Sequence, residues 1–233
     1  MLKRQRSAEN IESHENAFNL SISDLMAGFL SIFILAVCYF MLNVGQVKEQ
    51  YEGNQELRSQ MLEEIQKEMD KHGIAVQINA EQGVVHLPED YLFEEARADI
   101  KPEGQEKIRV LSQVLHQILT QKVYADAVET IFVEGHTDNI PIENDEFQSN
   151  WELSTQRAIN TWKLIQSDEA ELGPFEEEDE SFLRNRKGEP FFACSGFAAT
   201  RPLNDNATPE ARQSNRRIDL RFAMMPPKDP AKQ

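Results

Sequence analysis

Hydrophobic and polar positions divide the chain into an apolar run near its N-terminus, a charged segment and a mixed region beyond it. Residues 25–42 (LMAGFLSIFILAVCYFML) comprise 18 positions without a charge. A helix needs about 20 apolar residues to cross the core of a bilayer, and this run is apolar on every helical face. It is longer than the core of a cleaved signal peptide and ends in NVGQ rather than at a cleavage site. We therefore predict a retained transmembrane helix over residues 18–45, preceded by a tail of residues 1–17.

One acidic residue, Asp24, stands at the start of the apolar run. An ionised carboxylate inside a bilayer costs several kcal/mol, and such residues usually face a protein interior or an ion path. Helical spacing puts Ala27, Gly28 and Ser31 on the same side as Asp24, and small side chains let a second helix approach closely. Two interpretations remain open from these features. Asp24 is either an ion-carrying residue or an interfacial cap at the N-terminus of the helix, preceded by Ser21 and Ser23.

The segment that follows the apolar run is rich in Glu, Gln and Lys and contains no proline. Its apolar residues recur at roughly helical spacing: Val47, Tyr51, Leu57, Met61, Leu62, Ile65 and Met69. This pattern predicts a helix that leaves the membrane and that Gly73 ends. We assign a helical linker to residues 46–73, with a second copy of the same helix as one possible packing partner.

The region after residue 73 alternates between strand and helix periodicity. The predicted elements are a hairpin, a helix, a strand, a second helix and a last strand, over residues 74–87, 103–120, 130–134, 153–165 and 217–222. This order is typical of an α+β fold in which helices pack on a mixed β-sheet. We assign the domain to residues 74–223 and a flexible tail to residues 224–233.

Composition narrows the classes of function. The net charge is −16, from 40 acidic and 24 basic residues, which disfavours nucleic-acid binding because that needs Lys and Arg to displace counterions. Cys38 lies in the apolar run and Cys194 far beyond it, so we expect neither a disulfide nor a metal site built on them. His136 lies close to Asp138, but no set of nucleophile, base and orienting residue is recognisable. We therefore predict a protein that is not an enzyme and needs no cofactor.

Two motifs carry recognisable chemistry. GHTDN (residues 135–139) directly follows the predicted strand, and NWELS (residues 150–154) opens the second helix of the domain and precedes Arg157. An Asp on the loop after a strand and an Arg in the following helix can converge on one surface pocket. Such a pair would hold a zwitterion, because the carboxylate attracts an ammonium group and the guanidinium binds a carboxylate.

The joint pattern GHTDNIP, SNWELSTQRA, GFAATRPLNDN and RQSNRRIDLRF resembles the OmpA-like peptidoglycan-binding domain, above all the version found in MotB-type stator subunits. That family binds the meso-diaminopimelate of the peptidoglycan stem, whose free end has one ammonium and one carboxylate. The resemblance implies that Asp138 and Arg157 take these two charges. It also implies that Asn150 and Leu153 shape the pocket and that Arg216 supports it. An ion pair at the edge of the sheet is the alternative role for Arg216.

The N-terminal part agrees with this resemblance. The sequence SDLM (residues 23–26) is similar to the stator signature in which the Asp carries the ion. Two features depart from flagellar stators: the aromatic residue nearest to Asp24 on its N-terminal side is Phe18, and the long flexible linker has no counterpart. Residues 166–192, which are acidic, read as an insertion.

These departures make the chain more similar to ZorB, the MotB-like subunit of Zorya anti-phage systems, than to a flagellar stator subunit. That resemblance implies a ZorA partner with several spans, arranged as a pentamer around a dimer of this chain, and proton flow past Asp24. A flagellar stator with a MotA-like partner and a passive tether between membrane and wall remain alternatives, as does Na⁺ as the ion. Binding to peptidoglycan implies a bacterial inner-membrane protein with a cytoplasmic N-terminus and a periplasmic C-terminal domain.

Overall fold

The computed structural model describes residues 2–171, 184–185 and 187–227, of which residues 2–21 and 167–171 are described as backbone only. The chain divides into two units, one that ends at Tyr51 and one that comprises Glu52–Pro226. Helix α1, Leu2–Lys71, begins in the first unit and ends in the second.

In the first unit, α1 exposes apolar side chains on all of its faces. Phe33 is 64% and Leu42 70% exposed, and no part of the most apolar stretch is buried within the chain. That stretch has a mean hydropathy of 2.5, and α1 is the one helix among the described residues that is long and apolar enough to cross a membrane. The predicted long apolar helix is therefore confirmed, whereas its membrane boundaries at residues 18 and 45 remain a prediction.

A five-stranded sheet forms the centre of the second unit, with the strand order β1-β2-β5-β3-β4. The strands are β1 Gln77–Asn79, β2 Val84–Pro88, β3 Val128–His136, β4 Phe192–Gly196 and β5 Arg217–Met224. β3 and β4 are parallel, and the other pairs are antiparallel. The sheet is thus mixed, and the predicted α+β class with helices on a mixed sheet is confirmed.

Two long helices of this unit, α2 Pro102–Leu119 and α4 Asn150–Glu171, contribute to the main apolar core. Alternate strand residues face that core, among them Val133 and Leu220, both fully buried. The Ser112 hydroxyl of α2 donates a 3.0 Å hydrogen bond to the carbonyl oxygen of Ile165 in α4. Two short helices, α3 Lys122–Ala125 and α5 Pro209–Asn215, complete the unit.

The C-terminal part of α1 belongs to the same core. Met61, Leu62, Ile65 and Met69 are at most 1% exposed and pack with the residues of the sheet and of α2. This part of the apolar stripe predicted for a linker is therefore covered by the chain's own domain and is not available to a second copy, whereas Tyr51, nearer the start of the stripe, is 54% exposed. The helix ends at Lys71, and Gly73 follows with φ of +72°, a conformation that side chains other than glycine rarely adopt.

The structure contains elements that the sequence pattern does not predict. β4 has the sequence FACSG, with few of the branched or aromatic residues that favour strands, and it starts at Phe192, the last residue assigned to the insertion. Its place is fixed by pairing with β3 and by burial of Phe191, which is 1% exposed. Residues 172–183 and 186 of the predicted insertion, and 228–233 of the predicted tail, lie outside the described residues. Met224, the first residue assigned to that tail, is part of β5.

Candidate functional site

The two sequence motifs meet where β3 ends and α4 begins. Gly135 lies so close to α4 that a β-carbon on it would be 1.9 Å from the carbonyl oxygen of Ser154. This contact between backbones requires glycine, because any side chain at position 135 would push the helix away from the strand. It brings the loop that follows β3, including Asp138, next to the first turns of α4.

A cavity of about 520 Å³ opens at this junction. Its walls come from the turn after β2, the loop after β3, the start of α4 and the residue between α5 and β5. All five side chains singled out for ligand binding line it: Asp138, Asn150, Leu153, Arg157 and Arg216. The structure therefore places them around one pocket, although they span almost eighty positions of the sequence.

Asp138 is held in a defined position at the wall of this pocket. The residue is 6% exposed, and its Oδ1 accepts a 2.9 Å hydrogen bond from the backbone N–H of Ile140. Its Oδ2 accepts a 2.9 Å hydrogen bond from Nη1 of Arg216. Asn150 fastens the same loop, because its Nδ2 donates to the carbonyl oxygens of Asp138 and Ile140 at 3.3 and 2.9 Å. Leu153, 4% exposed, supplies an apolar part of the wall.

Arg157 is almost fully buried, with 2% of its surface exposed. Its Nε donates a 2.7 Å hydrogen bond to the carbonyl oxygen of Arg97, and Nη2 donates to that of Glu94 at 3.2 Å. Its Nη1 lies 2.7 Å from Oε2 of Glu89, and Cζ lies 5.0 Å from the centre of the Phe93 ring. Burial lowers the pKa of Arg157 and the Glu89 carboxylate opposes this, so the guanidinium stays charged.

Glu89 is the residue of the site that the sequence pattern does not reveal. It opens a 3₁₀ turn, Glu89–Tyr91, directly after β2 and is 5% exposed. Burial raises the pKa of Glu89, although Arg157 and Arg216 both act to lower it. The only signal in the sequence is an acidic pair, Glu89 and Asp90, at the end of a predicted strand, and such pairs are common in solvated turns.

Arg216 links the two halves of the pocket. Its Nη1 binds Asp138, its Nη2 lies 3.6 Å from Oδ1 of Asp90, and its Nε lies 4.0 Å from Oε2 of Glu89. Burial acts to lower the pKa of Arg216, but the hydrogen bond to Asp138 and the nearby carboxylates raise it overall. The side chain thus faces the pocket. Its neighbour Arg217 is the one that pairs within the sheet, with both Nε distances to the Asp219 carboxylate at 3.0 Å.

A second buried polar cluster lies on β2, β3 and β5. His136 Nε2 is 3.2 Å from Asp219 Oδ2, and His86 Nδ1 is 2.6 Å from Oδ1 of the same carboxylate. Glu134 accepts hydrogen bonds of 3.0 and 2.8 Å from the guanidinium of Arg221. Two carboxylates and a histidine are a ligand set for a metal ion by type. Each carboxylate already has a guanidinium partner, however. We therefore interpret the cluster as a structural network whose charges are paired within the chain.

Asp24 lies within α1, more than twenty residues after the helix begins at Leu2. The interpretation of Asp24 as an N-terminal cap is therefore wrong for this helix. The side chain is exposed, a β-carbon on Gly28 would meet nothing within 4 Å, and the hydroxyl of Ser31 folds back onto the carbonyl oxygen of Ala27 at 2.8 Å. A face of small residues next to the carboxylate is thus open to a partner.

The fold and the pocket together define a small α+β ligand-binding domain that follows a long apolar helix. The sequence profile of the OmpA family matches residues 92–216, more than half of the chain, and the chain therefore belongs to the OmpA family. The matched region contains every residue of the pocket described above except Glu89 and Asp90, which directly precede it.

Individual relatives give a consistent picture. The chain is 27% identical to Motility protein B of Bacillus subtilis over 165 residues, which is 70% of this chain and 54% of that protein. It is 26% identical to the protein YtxE of the same organism, covering 94% of this chain and 92% of that protein. The chain thus spans about half the length of Motility protein B and nearly all of YtxE.

Among solved structures, a MotB like protein from Desulfovibrio vulgaris has a similar fold. The TM-score is 0.53 at 19% identity, with 76% of this chain and 96% of that chain covered. At this identity the likeness concerns the fold.

Proposed function

We propose that this chain is the peptidoglycan-anchored B subunit of an ion-driven stator in a bacterial inner membrane. The pocket between β3 and α4 carries the proposal. A carboxylate, Asp138, and a guanidinium, Arg157, both line this one cavity, in a domain of the OmpA family. A zwitterion such as the free end of meso-diaminopimelate matches these charges, with its ammonium at Asp138 and its carboxylate at Arg157.

The membrane helix supplies the second half of the proposal. Asp24 is its only charged residue over more than twenty apolar or small positions, and it stands beside a face of small residues. Asp24 carries the ion, with a proton as the first candidate, at an interface with a MotA-like subunit of several spans. Since peptidoglycan is periplasmic, the N-terminus is cytoplasmic, the second unit is periplasmic, and the apolar stretch of α1 is the single span. Two copies of the chain form the wall-bound dimer at the centre of the motor.

Within this class we favour a Zorya-type ZorB subunit, with a ZorA pentamer around the dimer. Packing of Met61–Met69 side chains into the domain supports it, because a stretch of the predicted linker is part of a folded unit. A flagellar stator subunit is the second candidate, supported by the similarity to Motility protein B over 70% of this chain. Deleting the gene in its host separates the two: loss of phage resistance with intact swimming supports the first, and loss of swimming supports the second.

Wall attachment is tested by sedimenting the detergent-solubilised full chain with purified peptidoglycan. Asp138→Asn removes the charge that holds the ammonium and should weaken binding by about ten- to a hundredfold, the worth of one charge-assisted hydrogen bond. Asp145→Asn is the matched control, because Asp145 is an exposed residue of the same loop that does not line the cavity. Equal binding of Asp138→Asn and the wild type would rule out the assigned pocket.

Ion transport is tested separately by Asp24→Asn, which keeps the shape of the side chain and removes its titrating group. We expect complete loss of the host phenotype with normal wall binding, while Asp24→Glu retains part of the activity. A passive tether would work equally well with asparagine at this position, so an active Asp24→Asn variant refutes the motor.

A further inference from the structure

We propose that Glu89 competes with the ligand for Arg157 and thereby limits how much a ligand carboxylate contributes to binding. This inference rests on the proposed function, in which the pocket takes a peptide stem that ends in an ammonium and a carboxylate. The observation behind it is a close ion pair inside the chain, with Glu89 Oε2 only 2.7 Å from Nη1 of Arg157. A carboxylate that enters the pocket meets a guanidinium whose charge is already neutralised.

The partners of Arg157 differ in kind. A guanidinium has five N–H donors, and two of those in Arg157 are directed at the backbone carbonyls of Arg97 and Glu94. These carbonyls orient the side chain but carry no net charge. Glu89 is the anion in direct contact, and it is 5% exposed, so little water screens it. Glu89 is therefore the largest charged influence on Arg157, ahead of Arg216 and Asp138.

The net charge of the cavity lining supports the same inference. Its lining includes five carboxylates against two guanidinium groups, a formal balance of −3: Glu89, Asp90, Glu95, Asp138 and Glu143 against Arg157 and Arg216. Such a pocket attracts the ammonium of a zwitterion and repels its carboxylate. The ligand carboxylate is attracted by Arg157 and repelled by Glu89, and the two effects offset each other. Asp138 is itself paired with Arg216, but the surplus of carboxylates around the cavity still makes the amine the main determinant of affinity in the wild-type protein.

The arrangement has a structural reason. A buried arginine without a counter-ion is strongly destabilising, and the ligand cannot supply that counter-ion while the domain folds. Glu89 supplies it from within the chain, at the expense of affinity for the ligand. Stability and ligand affinity are in this way opposed at a single residue.

The wild-type protein provides the first test. The full chain in detergent is titrated with two soluble stem peptides by calorimetry, one ending in meso-diaminopimelate with its free carboxylate and one in which that carboxylate is an amide. We expect their dissociation constants to agree within about threefold. A preference of more than about thirtyfold for the free acid would overturn the inference, because Arg157 would then be fully available to the ligand.

The second test uses Glu89→Gln, which keeps the length of the side chain and removes its charge. The variant should bind the free-acid peptide about tenfold more tightly than the wild type does and the amidated peptide no more tightly. Glu106→Gln is the control, since it removes a glutamate that pairs with Arg109 on the exposed surface of α2. An equal gain for both peptides, or no gain for either, would contradict competition at Arg157.

The outcomes distinguish this inference from the proposed function. If the wild type binds neither peptide, the pocket does not hold the stem and the proposed function fails. If the wild type binds and Glu89→Gln shows no selective gain, only the role of Glu89 is refuted. Should Glu89→Gln fail to fold, as judged by thermal unfolding, the comparison of the two peptides on the wild type still decides.

Discussion

Replacing Arg157 by Met removes the cation from the buried pocket network and keeps an unbranched side chain of similar length. Glu89 then remains 5% exposed without its partner at 2.7 Å, and the carbonyls of Arg97 and Glu94 lose their donor. Breaking a buried ion pair from one side costs about 3–5 kcal/mol, because the charge left behind is uncompensated. For a unit of this size that loss lowers the melting temperature by about 6–20 °C.

Thermal unfolding of the full chain in detergent measures this loss, with tryptophan fluorescence as the signal, since Trp162 packs against the core of the second unit. Arg109→Met is the matched control. Arg109 pairs with Glu106 on the surface and is 42% exposed, so its removal should cost less than about 0.5 kcal/mol. Adding Glu89→Met to Arg157→Met should restore most of the lost stability, because neither charge of this buried pair then remains.

The pH dependence provides an independent check. Burial already raises the pKa of Glu89, and Arg157 is the largest opposing influence. Without Arg157 the folded-state pKa rises further above the unfolded value, so the folded state holds the proton more tightly. The stability of Arg157→Met should therefore fall as the pH rises through that pKa and partly recover on acidification. A loss under about 1 kcal/mol, or a loss independent of pH, would refute the buried ion pair as described.

Three further predictions concern other parts of the second unit. Two histidines and an arginine outweigh the effect of burial and hold the pKa of Asp219 below its usual range. The stability of the wild type should therefore decline as the pH falls below about 4. Asp219→Asn should be less stable at neutral pH and should show a weaker loss of stability in acid, as measured by denaturation curves. Gly135→Ala forces a β-carbon against the Ser154 carbonyl and should cost about 3 kcal/mol or more on thermal unfolding, whereas Gly53→Ala, with nothing within 4 Å, should cost nothing. Burial raises the pKa of the Cys194 thiol to about 11, so iodoacetamide at pH 8 should label it more than about a hundredfold more slowly than in the denatured chain, as mass spectrometry would show.

Local sequence patterns determine several features of this protein directly. The apolar run of residues 25–42 predicts the long helix with exposed apolar faces, because the rise of a helix per residue and the thickness of a bilayer set how many apolar residues a span needs. The motif GHTDN predicts a loop after a strand, and NWELS predicts the start of a helix, because an Asp that follows a strand and a polar residue that opens a helix are local signals. A loop and a helix start in this order can converge on one pocket. The α+β class follows from the order of strand and helix periods, which burial of one face imposes on the sequence.

Tertiary structure decides what lies opposite each of these groups. The carboxylate that neutralises Arg157 comes from a turn far away in the chain, and nothing in the local pattern around Glu89 distinguishes it from a solvated acid. β4 exists because β3 offers it a partner, despite a sequence with weak strand propensity. The apolar stripe of Met61–Met69 is compatible with a dimer or with the domain's own core, and only packing selects the core. Periodicity states which face of an element is buried, whereas the identity of the covering group depends on contacts between residues distant in sequence.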